Sequence, residues 1–198
     1  YIVPSVPNEL FIAKKPLRRL EDLKGLQLRV QSRETTNLAK ELGAAPVFMS
    51  QGDYVIAAEK GTVDGGFLLS SGIADFKLGR KTKYVLMHNI GLAPVMLFMN
   101  KDSFNKLPAD LQGVLDKSCK WAKDDALKYW SATVEEAHKY FKTEGMEFVY
   151  LSGEEKAKLV SIYERVCDKV GADLDAKGYP GTEIVRFIRE RVKHYARR

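Results

Sequence analysis

The stretch Leu26-Gln27-Leu28-Arg29-Val30-Gln31 alternates apolar and polar positions without a break. Such alternation predicts a strand with Leu26, Leu28 and Val30 on one face and Gln27, Arg29 and Gln31 on the other. The segment 32–43 reads as a helix that Ser32 caps and Gly43 ends, glycine being the residue that tolerates a left-handed backbone there. The apolar run 44–49 predicts a second strand. Residues 51–61 predict a second helix, with Asp53 in its first turn and Gly61 just past its end. Residues 62–72 read as a strand followed by a loop, 73–79 as a short helix, and 83–88 and 94–100 as two more strands. Short elements alternating in type imply βα units, hence an α/β fold with a largely parallel sheet and helices on both faces. Ligands of such sheets bind in the crevice outside the carboxyl ends of the strands. Arg29, late in its strand, and the Gly65-Gly66 pair lie close to that crevice.

The pattern changes after Asn100. Residues 101–108 form a short helical turn stopped by Pro108. From Ala109 to about Phe141 there is no proline, and Gly113 is the only glycine. Leu111, Val114, Leu115, Cys119, Ala122, Ala126, Tyr129 and Trp130 recur at three- and four-residue steps. A helix of roughly thirty residues follows, about 45 Å long at 1.5 Å per residue, long enough to brace two lobes. Residues 147–152 predict a strand that leads into a helix from Gly153, where Glu154 and Glu155 favour the positive end of the dipole. The break at 176–181 precedes a last amphipathic helix, Thr182 to Tyr195. No internal repeat or low-complexity segment is visible.

Composition narrows the function classes. At 198 residues, 45% hydrophobic and 29% charged, the chain suits one or two globular domains, and no apolar run is long enough to insert in a membrane. A net charge of +6 raises the question of nucleic acid. The 32 basic residues are spread among 26 acidic ones, and the basic stretches 14–19 and 194–198 lack the interleaved aromatics of a stacking platform, so a nucleic-acid partner is not expected. Such a surface attracts small anions instead. Cys119 and Cys167 form neither a CxxC motif nor a metal-ligand spacing and read as packing residues. His88, His138 and His194 are scattered, so neither a metal nor a cofactor is expected. The start, Tyr1 to Phe11, has no initiator Met and no targeting segment, as in a chain entered partway.

No catalytic constellation emerges. Ser70-Ser71-Gly72 lacks the elbow of a serine nucleophile. Asp64, ahead of two glycines, fits a turn better than a catalytic carboxylate. The segment from Gly52 to Gly61 has neither a dinucleotide fingerprint nor a Walker lysine. Tyr129, Trp130, Tyr140 and Phe141 read as packing between lobes. Binding chemistry is better represented: the planar fork of Arg29 matches a carboxylate bidentately. On residue chemistry alone, that role stands beside a solvated or salt-bridged structural arginine.

Five segments in order, 20–30, 42–49, 57–66, 76–89 and 97–118, resemble the substrate-binding proteins of tripartite ATP-independent periplasmic (TRAP) transporters, the DctP-type family. The likeness runs from about Pro16 to Lys123 and continues more loosely to the C-terminus. It implies a periplasmic-binding-protein-like (type II-like) fold of two α/β lobes closing on a small organic acid. The expected product is a periplasmic, non-enzymatic solute receptor that delivers its ligand to the transporter's membrane subunits. The resemblance implies that Arg29 forms the ion pair with the ligand carboxylate. Gly66, Phe67, Leu68 and Leu69 stand where the family often carries polar or aromatic ligand contacts, which implies a smaller or more apolar acid than a sugar acid. A second family arginine corresponds to Glu9, so that Glu9 or Asn8 would receive a hydroxyl or an amine. Asp53 and Tyr54 match a further ligand-side motif. The implied division is a connecting segment 1–25, a second lobe 26–96, and a return 97–198 whose long helix and C-terminal helices pack on a first lobe that is mostly absent. Hinges would lie at 20–26 and 92–100. An α/β enzyme acting on a carboxylate and the ligand-sensing domain of a signalling system are the alternatives.

Overall fold

The computed structural model describes residues 2–3, 8–13, 15–88 and 95–195. Its centre is a six-stranded mixed sheet in the order β4-β3-β5-β2-β6-β8. These strands are β2 (Asn8–Ile12), β3 (Gln27–Val30), β4 (Ala45–Phe48), β5 (Gly65–Leu69), β6 (Tyr84–Leu86) and β8 (Glu147–Val149). The pairs β3–β4, β3–β5 and β6–β8 are parallel, whereas β2 runs antiparallel to both of its neighbours, β5 and β6. Pro46, which has no N–H to donate, sits in edge strand β4, where a missing ladder bond is tolerated.

Local signals explain the first βα units. Helix α1 (Arg33–Glu41) starts where the Ser32 hydroxyl accepts the Thr35 N–H, and Gly43 follows it at φ 75°. Helix α2 (Gln51–Lys60) is capped by Ser50, whose hydroxyl accepts the Asp53 N–H, and ends on Gly61 at φ 68°. Strand β5 passes directly into α3 (Ser70–Asp75), so the loop expected after Leu69 is absent.

Strand alternation sorts the core into two layers. Leu10, Ile12, Leu28, Val30, Phe67 and Leu86 face α1 and α6 (Gly153–Asp175), which contribute Leu38, Ala39 and Leu159, with Leu42 just past the end of α1. On the other face, Phe11, Leu68 and Val85 meet Tyr54 and Ala57 of α2, Ile73 of α3, and Ala137 and Phe141 of the long helix α5 (Ala109–Thr143). Phe141 is fully buried, with its ring edge-to-face against Phe11 at 5.6 Å.

Three differences from the sequence expectations have physical causes. Residues 8–12, expected in a connecting segment, form a central strand. Their run Asn-Glu-Leu-Phe-Ile is covered on both faces and shows no alternation to betray it. Strand β8 and helix α6, expected against a first lobe, instead join this sheet and pack on α1. The strand expected over 94–100 reduces to β7 (Val95–Met96), paired antiparallel with β1 (Ile2–Val3). Residues 92–94 of the expected hinge lie outside the described residues. The long helix spans 35 residues, and its N-terminal half, with α4 (Lys101–Asn105) and the apolar residues 95–99, stands exposed. Helix α7 (Gly181–Tyr195) packs on α6.

Candidate functional site

Arg29 lies in the middle of the β4-β3-β5 ladder, opposite Val47 on one side and Gly66 on the other. It is 3% exposed. Its Nε donates to the Met49 carbonyl at 3.2 Å, and its Nη1 donates to the Phe67 carbonyl at 2.8 Å and to Gln31 Oε1 at 2.7 Å. Among the described residues Nη2 has no hydrogen-bond acceptor and no carboxylate pairs with the guanidinium. The group is thus oriented by neutral acceptors just after β4, within β5 and on Gln31 without being neutralised. Burial draws its pKa below the ordinary value, with the Tyr54 phenol opposing that shift. An arginine nevertheless stays protonated in a protein.

The glycine pair is explained by close approach. A Cβ at Gly65 would collide with the Phe11 carbonyl of β2, and one at Gly66 would come within 2.8 Å of Arg29 Cβ and 3.2 Å of Tyr54 Cε2. Gly66 is the gap into which Arg29 and Tyr54 fit. Tyr54 is fully enclosed, its hydroxyl hydrogen-bonded to Thr82, and burial pushes its pKa up to about 12. Asp64 holds strands together: its carboxylate accepts the Gln27 N–H at 2.9 Å and its carbonyl accepts the Ala13 N–H at 2.8 Å.

Glu9 is on the same sheet face, opposite Leu68 and two residues nearer the carboxyl ends of β3 and β5 than Arg29. It is 4% exposed, and its Oε2 accepts the Ser70 hydroxyl at 3.0 Å. Its Oε1 is 4.0 Å from His138 Nε2 of α5. Burial raises the Glu9 carboxyl to about 7 despite the Ser70 bond, while burial and then Lys142 lower the His138 imidazole.

The sequence-predicted residues therefore fall into three groups. Arg29, Gly66, Leu68, Tyr54 and Glu9 share one side of the sheet. The Phe67 side chain belongs to the opposite core layer, and only its carbonyl reaches Arg29. Asp53 is exposed at the start of α2, where its carboxylate accepts the Ser50 hydroxyl at 2.7 Å. Gln31 and Ser70 join the polar set without having been anticipated. The alternation that put Gln31 on Arg29's face was the signal for the first, whereas Ser70 comes from a tertiary contact with β2. Among the described residues no cluster of His, Cys, Asp and Glu suits a metal, both cysteines are free thiols, and no helix is long and apolar enough to cross a membrane.

Comparison with known proteins identifies the family and the fold. Residues 9–173 match the family DctP, bacterial extracellular solute-binding protein, family 7. The C4-dicarboxylate-binding periplasmic protein DctP of Rhodobacter capsulatus is 28% identical over 171 residues, covering 83% of this chain and 51% of that protein. The chain spans about half the length of the curated relatives it matches. A TRAP solute-binding protein from a marine metagenome, specific for aromatic acid ligands and solved with metahydroxyphenylacetate, superposes with TM-score 0.86 at 24% identity over 98% of this chain and 63% of that one. A TRAP periplasmic solute-binding protein of Desulfovibrio salexigens with bound orotic acid gives TM-score 0.84 at 19% identity, over 99% and 61% of the two chains. The fold is that of TRAP periplasmic binding proteins, and the family it represents is one of transport binding proteins rather than enzymes. The chain belongs to the DctP family of bacterial extracellular solute-binding proteins.

Proposed function

We propose that the protein is a periplasmic solute receptor that holds a small organic acid through an ion pair between Arg29 and the ligand carboxylate, and passes it to the membrane subunits of a TRAP-type transporter. One observation carries this reading: Arg29 is almost wholly buried, aimed by three neutral acceptors, and has no carboxylate partner among the described residues. Burying an unpaired charge is costly, and an arriving carboxylate offsets that cost with charge-assisted hydrogen bonds. The acids bound in the two solved relatives, metahydroxyphenylacetate and orotic acid, have the chemistry this site calls for.

Gly66 leaves the room that the root of Arg29 and the Tyr54 ring occupy, and Leu68 is an apolar residue of the same sheet face. Phe67 acts through its carbonyl, and Asp53 acts by fixing the start of α2. Closure of a second lobe over the site would exclude water and strengthen the ion pair, which is how a ligand selects a closed state. Thermal-shift screening of the full gene product against small mono- and dicarboxylates tests the reading. One acid class should raise the melting temperature of the wild type and leave Arg29→Ala unmoved; equal shifts in both would exclude the Arg29 role, and turnover of the acid would favour an enzyme.

A further inference from the structure

A guanidinium carries its five N–H donors on three nitrogens, and the protein itself engages two of those nitrogens on Arg29. Nε is held by the Met49 carbonyl at 3.2 Å, and Nη1 by the Phe67 carbonyl at 2.8 Å and Gln31 Oε1 at 2.7 Å. Bidentate recognition of a carboxylate takes N–H groups from two neighbouring nitrogens. Nη2 supplies one of them. The other must come from Nε or Nη1, where an acceptor already in place has to give way.

The three acceptors differ in their freedom to do so. Phe67 lies within β5, and the Met49 N–H bonds to the Val30 carbonyl at 3.3 Å, so both carbonyls belong to backbone fixed in or beside the sheet. Gln31 instead offers the tip of an exposed side chain just past the end of β3. Alternation sets it on the side of the strand that Arg29 occupies, two residues nearer the crevice. Its backbone is pinned, since the Gln31 N–H donates to Thr35 Oγ1 at 3.2 Å beside the Ser32 cap of α1. The side chain is held more loosely. Apart from Arg29, its Nε2 reaches Asn8 Oδ1 at 3.5 Å, a long contact for a hydrogen bond. Exposed side chains change rotamer in picoseconds to nanoseconds, so this acceptor can leave without any movement of the chain. The guanidinium only donates, so the amide oxygen is the atom that faces it, much as a carboxylate oxygen would.

We infer that Gln31 is a displaceable stand-in for the ligand carboxylate: its amide oxygen holds Nη1 of Arg29 until an arriving acid takes Nη1 and Nη2 together, so Gln31 lowers the affinity by competing with the acid. The inference rests on the Arg29 reading above. Met49 and Phe67 keep aiming the guanidinium throughout, whereas Gln31 gives up its place. A residue that aims Arg29 strengthens binding and one that competes weakens it, so the two roles predict opposite signs.

The test is calorimetric titration of the full gene product with benzoate, succinate, orotate and 3-hydroxyphenylacetate. Gln31→Ala should bind an acid of this set about threefold to tenfold more tightly than the wild type does, the reach of one net hydrogen bond. Gln31→Glu, which sets a permanent carboxylate beside Nη1, should bind it about tenfold or more weakly. In an Arg29→Lys background the gain from Gln31→Ala should vanish. Binding by Gln31→Ala that equals the wild type or is weaker would overturn the stand-in and leave the Arg29 reading in place. So would unweakened binding by Gln31→Glu, or the same gain in the Arg29→Lys background, which would make Gln31 a mere obstruction at the entrance. Failure of the whole set to bind the wild type and Gln31→Ala alike would overturn both readings.

Discussion

Gly66 lies directly opposite Arg29 in the parallel β3–β5 ladder, and a Cβ added to it would stand 2.8 Å from Arg29 Cβ. The obstructing atom belongs to the root of the arginine and not to a flexible tip, so the strands themselves would have to part. Gly66→Ala is expected to cost about 1–3 kcal/mol of stability, as overpacking of a core does. It should also weaken acid binding about tenfold or more, because the guanidinium loses its aim at the Met49 and Phe67 carbonyls. Denaturant unfolding and ligand titration on the same variant measure both effects. A neutral result in both would mean that the glycine is not what seats Arg29.

Glu9 supplies a pH prediction. Burial pushes its carboxyl up to about 7 in the folded chain, from the ordinary 4.5 of an exposed group. A raised carboxyl pKa means that the folded state holds the proton more tightly than the unfolded one. The contribution to stability is therefore full below about 4.5 and is lost as the pH rises through 7. Glu9→Gln, which never ionises, should gain on the wild type between pH 4 and pH 8 by on the order of 2–3 kcal/mol. Chemical denaturation across that range reads the difference, and parallel pH profiles would contradict the burial argument.

Phe141 anchors the long helix to the sheet. It is fully buried against Phe11, Phe148 and Tyr140. Phe141→Ala should cost about 3–5 kcal/mol, and Phe141→Leu clearly less, because leucine refills part of the cavity. Equal losses for the two variants in denaturant unfolding would argue against packing as the cause.

Much of this architecture was readable from short-range signals, and the exceptions share a cause. The period-two run 26–31, the Ser32 and Ser50 caps and the left-handed Gly43 and Gly61 are local devices, and α1, α2 and β3 form where they point. Strand β2 was hidden because burial on both faces removes alternation, and its antiparallel insertion between β5 and β6 is a long-range event. The docking of β8 and α6 on the same sheet is equally non-local. Within the site, Arg29 stood out as a charge on an alternating strand. The parity of β5, which turns the Phe67 side chain away from Arg29, followed from the same period once Gly66 was paired with Arg29. The Glu9–Ser70–His138 grouping joins three distant segments, and no spacing in the chain announces it.

The account turns on Arg29, and the most direct measurement is the dissociation constant of an acid found to stabilise the full gene product, compared between the wild type and Arg29→Lys. Lysine keeps the charge and loses the planar fork, so the comparison isolates bidentate recognition. Losing a charge-assisted hydrogen bond of the fork costs about 1.5–3 kcal/mol, so binding should weaken by roughly tenfold to 150-fold while the fold remains intact by circular dichroism. An unchanged dissociation constant in a folded Arg29→Lys variant would contradict the assignment of Arg29 as the carboxylate receptor.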